Sequence, residues 1–253
     1  MNARWFLASD IDNTLTGDRE ALDALRKKLD AKRKDGDLFL ALSTGRRLPQ
    51  VLEGFEKEGI PHADAVISQV GTEIYLPPFT EGEPPLEVWD DMLMQDFSRE
   101  EAEGFLEGVE GVVMQPEEFN TPLKVSCYLD SAEDPEAAVA EIREKVSKGE
   151  GLYQVVWSSS RDLDIIPAAA GKGKAIRFLI SFLELEPETI IVAGDSGNDR
   201  SMFDEFRRGV IVGNAKPELK KMREENPVST LYFARESYAA GVHEGLVHFD
   251  VIE

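Results

Sequence analysis

The chain is poor in the side chains that build zinc sites and histidine-based active sites. It holds three histidines, at positions 62, 243 and 248, and a single cysteine, Cys127. The histidines lie away from the motifs described below, so they form no pattern for a zinc site or a histidine-based phosphatase. Cys127 falls in the strand-like run L-K-V-S-C-Y-L, where a thiol is typical of a small core side chain rather than a nucleophile.

Long apolar runs and a secretion signal are also missing. No apolar run approaches the roughly 20 residues that a helix needs to span a bilayer. The start M-N-A-R-W lacks the charged region, the apolar region and the cleavage site of a secretion signal. Together with the single cysteine, these absences predict a cytoplasmic protein that has no membrane as a partner.

Positive charge is scarce relative to negative charge. The chain has 28 lysines and arginines against 49 aspartates and glutamates, which gives a formal net charge of −21 spread along the sequence. This balance opposes binding to nucleic acids and to anionic membranes, because both need a basic face. An anionic substrate must therefore meet positive charge that is supplied locally.

Two carboxylates follow the first apolar segment at a spacing of two residues. Residues 7–17 read L-A-S-D-I-D-N-T-L-T-G, which places Asp10 and Asp12 directly after a strand-like run. Two buried negative charges in contact are costly unless a cation or a proton lies between them. Mg²⁺ prefers oxygen ligands, and a carboxylate can attack phosphorus. We therefore predict Asp10 as a nucleophile beside Mg²⁺ and Asp12 as the group that shuttles a proton on the leaving-group side. An ordinary boundary between a strand and a turn is the alternative.

A second apolar run ends in hydroxyl groups and a glycine. It reads L-F-L-A-L-S-T-G-R over residues 38–46 and precedes a probable helix. Hydroxyl and backbone N–H groups at such a corner can hold a phosphate group. The candidates are Ser43 and Thr44, of which we favour Thr44. A helix N-cap is the alternative.

Residues 171–174 read G-K-G-K and come directly before a pattern that predicts a helix. Each of the two lysines follows a glycine. A lysine in this setting can neutralise phosphate oxygens and an aspartate nucleophile. The segment is not a P-loop, because the residue five before Gly171 is Ile166 and no serine or threonine follows Lys172. The spacing leaves open which lysine, Lys172 or Lys174, faces the site.

A third apolar run continues directly into G-D-S-G-N-D at residues 194–199. Its glycines let the backbone approach a ligand closely, and Asp195 at the strand end can complete the shell of Mg²⁺. Asp199 begins the next helix and can fix a water molecule or the lysine. A helix N-terminal carboxylate is the alternative for Asp199.

These four segments occur in the order found in the haloacid dehalogenase superfamily, which the chain resembles. Two later stretches, G-V-I-V-G-N-A-K-P-E-L at 209–219 and A-G-V-H-E-G-L at 240–246, are similar to its sucrose-phosphate phosphatase branch. The resemblance implies that Lys172, the lysine followed by glycine, acts in the site. It also implies that Mg²⁺ is held by Asp10, the backbone carbonyl of Asp12 and Asp195. The residues expected to support these ligands are Ser196, Asn198 and Asp199.

Asp12, the aspartate two residues after Asp10, occupies a position whose residue differs between subclasses of this superfamily. Phosphatases and mutases keep it, ATPases carry threonine there and dehalogenases lack it, so Asp12 implies phosphate-ester chemistry. The expected function is Mg²⁺-dependent hydrolysis of a sugar phosphate, first of all sucrose 6-phosphate, through an aspartyl-phosphate. The alternatives are a phosphatase of mannosylfructose phosphate or glucosylglycerol phosphate, a phosphosugar mutase, and a catalytically inactive sugar-phosphate sensor. The expected partner is a small phosphorylated sugar.

The order of elements predicts an α/β fold with a Rossmann-like parallel-sheet core and an inserted α+β cap. Apolar strands at 5–9, 38–42, 65–67, 189–192 and 210–212 alternate with helix-like stretches. Prolines and glycines between Pro77 and Pro85 open a segment of different pattern, with a helix near 96–108 and strands at 123–129, 153–158 and 163–166. We therefore predict a core of residues 1–77 and 168–253 and a cap of residues 78–167.

The cap is the expected source of specificity. Each of its polar and aromatic candidates can equally be a surface or fold-stabilising residue, and a monomer is expected. The candidate substrate contacts are Lys124, Trp157, Ser159, Arg161 and Asp162 of the cap, Glu73 near the hinge, and Ser43, Gly45 and Arg46 of the core.

Overall fold

The computed structural model describes residues 3–225 and 230–253, and its largest element is a seven-stranded sheet. In sheet order the strands are β11 (Thr230–Phe233), β10 (Arg208–Ile211), β9 (Thr189–Gly194), β1 (Trp5–Ser9), β2 (Leu38–Ser43), β3 (Ala65–Ser68) and β4 (Glu73–Tyr75). Every pairing is parallel except that of β3 with β4. The predicted α/β class is confirmed.

The central strands β1 and β2 are apolar except for the serine that ends each of them. Every residue of β1 and β2 is buried, as expected for parallel strands that are covered on both faces. The register pairs Ser9 at the end of β1 with Leu42 of β2 and Ala193 of β9. The residues that follow these strands therefore emerge together at the carboxyl edge of the sheet, where open α/β sheets bind ligands.

Helices lie between the strands of both sheets along the described chain, and the last helix follows β11. The first, α1 (Arg19–Lys34), is capped by the Asp18 side chain and buries Leu22, Leu25 and Leu29, spaced to share one helix face. The others are α2 (Leu48–Glu53), which continues into a π-helical turn (Gly54–Glu58), α3 (Glu87–Met94), α4 (Arg99–Gly104), α5 (Pro135–Ser147), α6 (Lys172–Phe182), α7 (Arg200–Glu205), α8 (Pro217–Lys220), α9 (Met222–Glu225) and α10 (Tyr238–His248). Within the described ranges, no helix is both long enough and apolar enough to cross a membrane.

A second, smaller sheet is antiparallel. Its order is β5 (Val113–Met114), β6 (Val125–Tyr128), β8 (Asp162–Pro167) and β7 (Tyr153–Ser158). Alternate residues of these strands, such as Cys127 and Ile165, form a hydrophobic core with Ile142 of α5. Cys127 is fully buried, and this burial raises the pKa of its thiol to about 12. The thiol is a core side chain, as the sequence predicts.

Short elements differ from those that the sequence predicts. The helix expected over 96–108 is confined to α4, and β4, β5 and β11 were not predicted. Each of these strands has two to four residues, which is too short to show a clear apolar alternation. Pairing with a neighbouring strand therefore defines each of them.

The division of the chain into a core and a cap stays a prediction, and the packing of α3 bears on it. Trp89 and Leu93 of α3 are buried in the hydrophobic core of the large sheet. The Trp89 ring lies 4.7 Å from that of Phe178, and its Nε1 donates to the Gly71 carbonyl at 3.3 Å. Although α3 lies within residues 78–167, it packs with the large sheet.

We expect Trp89→Ala to lower the free energy of unfolding by about 3–5 kcal/mol, the usual cost of truncating a large buried aromatic side chain. Trp89 is 1% exposed, whereas Val88 on the same helix is 55% exposed. Val88→Ala is therefore the matched control and should change the stability by less than about 0.5 kcal/mol. Denaturant unfolding followed by circular dichroism compares the two. Equal, small effects would contradict the anchoring of α3 on the large sheet.

Candidate active site

Three buried aspartates meet at the carboxyl edge of the large sheet. Asp10 follows β1 directly and Asp195 follows β9 directly, so the parallel register brings them together. Asp199 ends the short 3₁₀ turn (Gly197–Asp199) that comes next. One carboxylate oxygen from each of the three lies within 4.8 Å of the others. This group of three carboxylates is called the acidic cluster below.

The side chain of Lys172 reaches into the acidic cluster. Lys172 begins α6 and is fully buried. Its Nζ donates to Asp10 Oδ1 at 2.7 Å and to Asp199 Oδ1 at 2.6 Å. Lys174 instead donates to the backbone carbonyl of Ala168. Of the two lysines that the spacing left open, Lys172 is the one that faces the cluster.

Asp199 holds both the lysine and the loop that carries Asp195. While its Oδ1 accepts from Lys172, its Oδ2 accepts the backbone N–H groups of Asp195 at 2.9 Å and Ser196 at 3.1 Å. Asn198 Oδ1 accepts from Lys172 Nζ at 3.1 Å and from Ser196 Oγ at 3.3 Å. These contacts place Ser196, Asn198 and Asp199 around the lysine and the loop.

Burial changes the pKa values in the acidic cluster. Desolvation raises the pKa of Asp10 well above its usual range; Lys172 opposes this rise, and the other two aspartates add to it. Desolvation also raises the pKa of Asp195 to about 7, with the charge of Asp199 acting in the same direction. Burial alone would lower the pKa of Lys172, but Asp10 and Asp199 outweigh it and raise the pKa. The single ammonium therefore stays charged, and the excess of carboxylates favours a further cation or a proton.

Arg46 lies between two carboxylates. Its Nε and Nη2 donate to Asp12 at 2.9 and 2.7 Å, and its Nη1 and Nη2 donate to Glu58 at 2.6 and 2.8 Å. Burial lowers the pKa of Arg46, but the bonds to Asp12 and Glu58 outweigh it and raise the pKa. The guanidinium that was predicted as a substrate contact is thus already bound on two edges.

A polar cavity of about 300 Å³ lies beside Asp10 and Asp195. It is lined by residues from both sheets and their loops. Those near the large sheet are Asp10, Asp12, Asn13, Gly45, Arg46, Gln50, Val70, Asp195, Ser196 and Asn198, and those near the small sheet are Gln115, Phe119, Lys124, Tyr128, Ser158, Ser159, Asp162 and Asp164. Most of the predicted site residues are therefore brought together.

The wall formed by the small sheet carries buried charge. Lys124 Nζ lies 3.5 Å from Asp164 Oδ1, and both side chains are almost fully buried. Asp164 Oδ1 also accepts from Ser126 Oγ at 2.5 Å, and Asp162 Oδ1 accepts from Gln115 Nε2 at 3.2 Å. Burial raises the pKa of Asp162. The wall offers fixed donors and acceptors that suit the hydroxyl groups of a ligand.

Trp157 does not line this cavity. Successive residues of a strand point to opposite faces of the sheet, and its neighbour Ser158 faces the cavity. Trp157 instead packs against the hydrophobic core of the small sheet and lines a separate cleft with Gly197. Trp157 as a contact of the sugar therefore stays a prediction, with its side chain outside this cavity.

Glu73 and Arg161 also lie outside the cavity, and their role as substrate contacts stays a prediction. Glu73 Oε2 accepts from Ser68 Oγ at 2.8 Å and from the Tyr75 hydroxyl at 3.0 Å, so it is bound within its own hairpin. Arg161 pairs with Asp130 at 3.1 Å on the rim of the small sheet. Local contacts therefore hold both side chains.

Ser43 and Thr44 do not line the cavity. Both are fully buried, and Thr44 Oγ1 accepts the backbone N–H of Arg46 at 3.1 Å. The Ser43 hydroxyl is buried without a hydrogen-bond partner in the described part of the chain. Gly45 lines the cavity. Thr44 therefore stabilises the turn that leads into α2.

Sequence reasoning missed several residues of this region, among them Asp164, Gln115 and Glu58. Asp164 carried a signal, because it follows Asp162 by two residues in D-L-D and must share its face of the strand. Gln115 and Glu58 carried none, since their partners are distant in sequence or stand on another element.

Comparisons with known proteins point to one family. The family model for sucrose-6F-phosphate phosphohydrolase matches residues 3–250. A mannosylfructose-phosphate phosphatase of Agrobacterium fabrum is 34% identical over 244 residues, which cover 96% of this chain and 96% of that protein. Sucrose-phosphatase 1 of Nicotiana tabacum is 32% identical over 268 residues, and the match covers 98% of this chain but 60% of the tobacco protein.

The fold is also similar to that of a solved structure. The sucrose-phosphatase of Synechocystis, solved in complex with sucrose and phosphate, superposes with a TM-score of 0.90. It is 34% identical in sequence, and the match covers 98% of each chain.

The raised pKa of Asp195 makes the stability of the metal-free protein depend on pH. Its carboxyl titrates near 7 when folded against 3.8 ordinarily, so the folded state binds more protons and loses stability as the pH rises from 3.8 to about 7. We expect Asp195→Asn, which cannot ionise, to be more stable than the parent at pH 8 by on the order of 2 kcal/mol. This advantage should vanish near pH 4 because both forms are then neutral.

Urea unfolding in EDTA at pH 4 and pH 8 measures this difference. Asp35→Asn, which replaces an exposed aspartate at the end of α1, is the control and should show no such pH dependence. An Asp195→Asn effect of the same size at both pH values would contradict the prediction.

Proposed function

Because this chain belongs to the sucrose-6F-phosphate phosphohydrolase family of haloacid dehalogenase-like phosphatases, we propose that it is a Mg²⁺-dependent phosphatase of sucrose 6-phosphate. The family membership makes the chain a sugar-phosphate phosphatase. Our proposal adds the metal, the mechanism and the identity of the sugar, and it rests on one observation. A buried lysine contacts the first of three clustered carboxylates at the carboxyl edge of a parallel sheet.

The acidic cluster fits a hard divalent cation. Its donors are carboxylate oxygens, which Mg²⁺ prefers, and burial has raised the pKa of Asp10 and Asp195, so both gain from nearby positive charge. Asp10 and Asp195 line the cavity and would hold the ion with the backbone carbonyl of Asp12, as the resemblance implies. Both oxygens of Asp199 are already used by Lys172 and the loop. When bound, Mg²⁺ supplies Lewis-acid polarisation of the phosphoryl group.

Asp10 is the proposed nucleophile and Asp12 the proposed acid and base. An oxygen of Asp10 forms a bond to phosphorus as the bond from phosphorus to the sugar oxygen breaks. Asp12 gives its proton to that sugar oxygen, so the sugar leaves as a neutral alcohol. Asp12 then takes a proton from the water that attacks the aspartyl-phosphate. The bond between phosphorus and Asp10 breaks, and inorganic phosphate leaves.

Lys172 is proposed to balance charge throughout this cycle. Its ammonium contacts Asp10 in the structure, and its raised pKa keeps it protonated. As negative charge accumulates on the phosphoryl oxygens, a fixed ammonium stabilises the transition state without reorganising first. Asp199 and Asn198 hold this ammonium in place.

We assign recognition of the sugar to the small sheet, within a cap of residues 78–167 over a core of residues 1–77 and 168–253. Lys124, Ser159, Asp162 and Asp164 line the cavity on this side. Their donors and acceptors match the hydroxyl groups of a disaccharide. Gly45 and Arg46 line the same cavity from the large-sheet side, near Asp12.

Mannosylfructose phosphate is a second candidate substrate. The relative from Agrobacterium fabrum covers 96% of both chains at 34% identity, as high as the identity of the Synechocystis sucrose-phosphatase. Both substrates are fructose-containing disaccharide phosphates, so the same cavity chemistry serves either one. Direct competition between them decides which is preferred.

The test of this function is phosphate release across a panel of sugar phosphates, including sucrose 6-phosphate, mannosylfructose phosphate, glucosylglycerol phosphate and glucose 6-phosphate. We expect turnover of one disaccharide phosphate that needs Mg²⁺ and stops in EDTA. Asp10→Asn should lower kcat by about 10³-fold or more, because it removes the nucleophile. Circular dichroism should show that this variant keeps the fold.

Two results would contradict the proposal. Isomerisation of a sugar phosphate with a bisphosphate primer, without release of phosphate, would indicate a mutase. Tight binding of sugar phosphates by a protein that turns over none of them in Mg²⁺ would indicate a sensor.

The small-sheet wall gives a further prediction. Asp162→Ala should raise KM for the disaccharide phosphate about tenfold, because a charged hydrogen bond to a hydroxyl is worth about 1.5 kcal/mol or more. The value of kcat/KM for p-nitrophenyl phosphate, which has no sugar, should stay within about twofold. Asp130→Ala is the matched control, since Asp130 pairs with Arg161 outside the cavity. Equal losses on both substrates would contradict a role for Asp162 in binding the sugar.

A further inference from the structure

Glu58 is the unassigned partner of the arginine that holds Asp12. Arg46 uses one edge of its guanidinium for two bonds to Asp12 and another for two bonds to Glu58, all between 2.6 and 2.9 Å. Such paired, charge-assisted bonds fix orientation as well as distance. The three side chains form one hydrogen-bonded row that ends at the cavity.

The two ends of this row differ in how firmly they are held. Asp12 lies in the loop after β1, and its side chain is 52% exposed. Glu58 ends the π-helical turn Gly54–Glu58, and Arg46 between them is only 14% exposed. Glu58 therefore belongs to a regular helical turn. Asp12 belongs to a loop and has more freedom to move.

The π-helical turn is shaped to admit the guanidinium. A Cβ added at Gly54 would lie 3.0 Å from Arg46 Nη1 and 2.7 Å from Ile60 Cδ1. Glycine therefore leaves room for the arginine to lie across the turn and reach Glu58. Single π-helical turns of this kind occur frequently at functional sites.

We propose that Glu58 is a positioning residue for proton transfer: it anchors Arg46, and Arg46 in turn holds the Asp12 carboxyl at the cavity. This inference rests on the proposed function, in which Asp12 protonates the departing sugar oxygen. Without Glu58, the guanidinium loses its fixed end and can turn with Asp12 toward solvent or toward the phosphate. A misplaced acid then slows the step in which the sugar leaves.

The test compares two leaving groups. A sugar alcohol leaves poorly unless it is protonated, whereas p-nitrophenolate is a stable anion and needs little help. The value of kcat/KM covers the steps up to release of the leaving group, so it reports this protonation without the later hydrolysis. We expect Glu58→Gln to lower kcat/KM for the sugar phosphate by about tenfold and that for p-nitrophenyl phosphate by less than about threefold.

The ratio of the two values is independent of the fraction of folded enzyme, so a loss of stability does not obscure the result. Glu53→Gln is the matched control, because Glu53 pairs with Lys57 on the exposed side of the same helical segment. It should leave both values unchanged. Asp12→Asn is the reference and should show the same selectivity as Glu58→Gln with a larger loss.

An unchanged Glu58→Gln enzyme, a faster one, or equal losses on both substrates would overturn the role of Glu58 while Asp12→Asn still shows the selective loss. If Asp12→Asn shows no selective loss, or the parent enzyme does not hydrolyse sugar phosphates, the proposed function itself fails.

Discussion

The contact between the Lys172 ammonium and the buried carboxylates is the interaction on which the site depends. Three aspartates share this small space, and burying them together is costly without compensating positive charge. Lys172 contacts two of them directly and is fully buried in doing so. One ammonium does not balance three carboxylates, and the remaining negative charge supports the proposal that the site holds a divalent cation. Burial, and after it the charge of Asp199, raises the pKa of Asp195.

The fold holds this interaction in place through a close contact between the backbone at Gly71 and the backbone at Gly171. A Cβ at Gly71 would lie 2.4 Å from the carbonyl carbon of Gly171, directly before Lys172, and Gly71 has a φ of +93°. Both observations require glycine at position 71. The turn after β3 can therefore press against the start of α6 and fix where the lysine begins. Trp89 donates to the carbonyl of the same Gly71, which ties α3 to this contact.

The sequence alone was enough to predict the part of the site that lies at the ends of parallel strands. Asp10 and Asp195 each follow an apolar run, and residues that follow parallel strands lie at the same edge of the sheet. The sequence was less informative on the small sheet, where Asp164 was missed and the Trp157 side chain lies outside the cavity. A strand places alternate residues on opposite faces, but the sequence alone does not say which face meets the cavity. The partners of Arg46 lay beyond any pattern, because a guanidinium can reach carboxylates on several elements.

The charges of the cavity leave little free positive charge for a phosphate group. Among the residues that the structure describes, five carboxylates and two basic side chains line the cavity. Arg46 is bound by two carboxylates, Lys124 lies beside Asp164, and Lys172 is shared between Asp10 and Asp199. The basic groups are thus already balanced, in a chain whose net charge is −21. A phosphate dianion would meet a negative surface here, and under the proposed function a cation bound at the acidic cluster would supply the charge that draws the phosphate in.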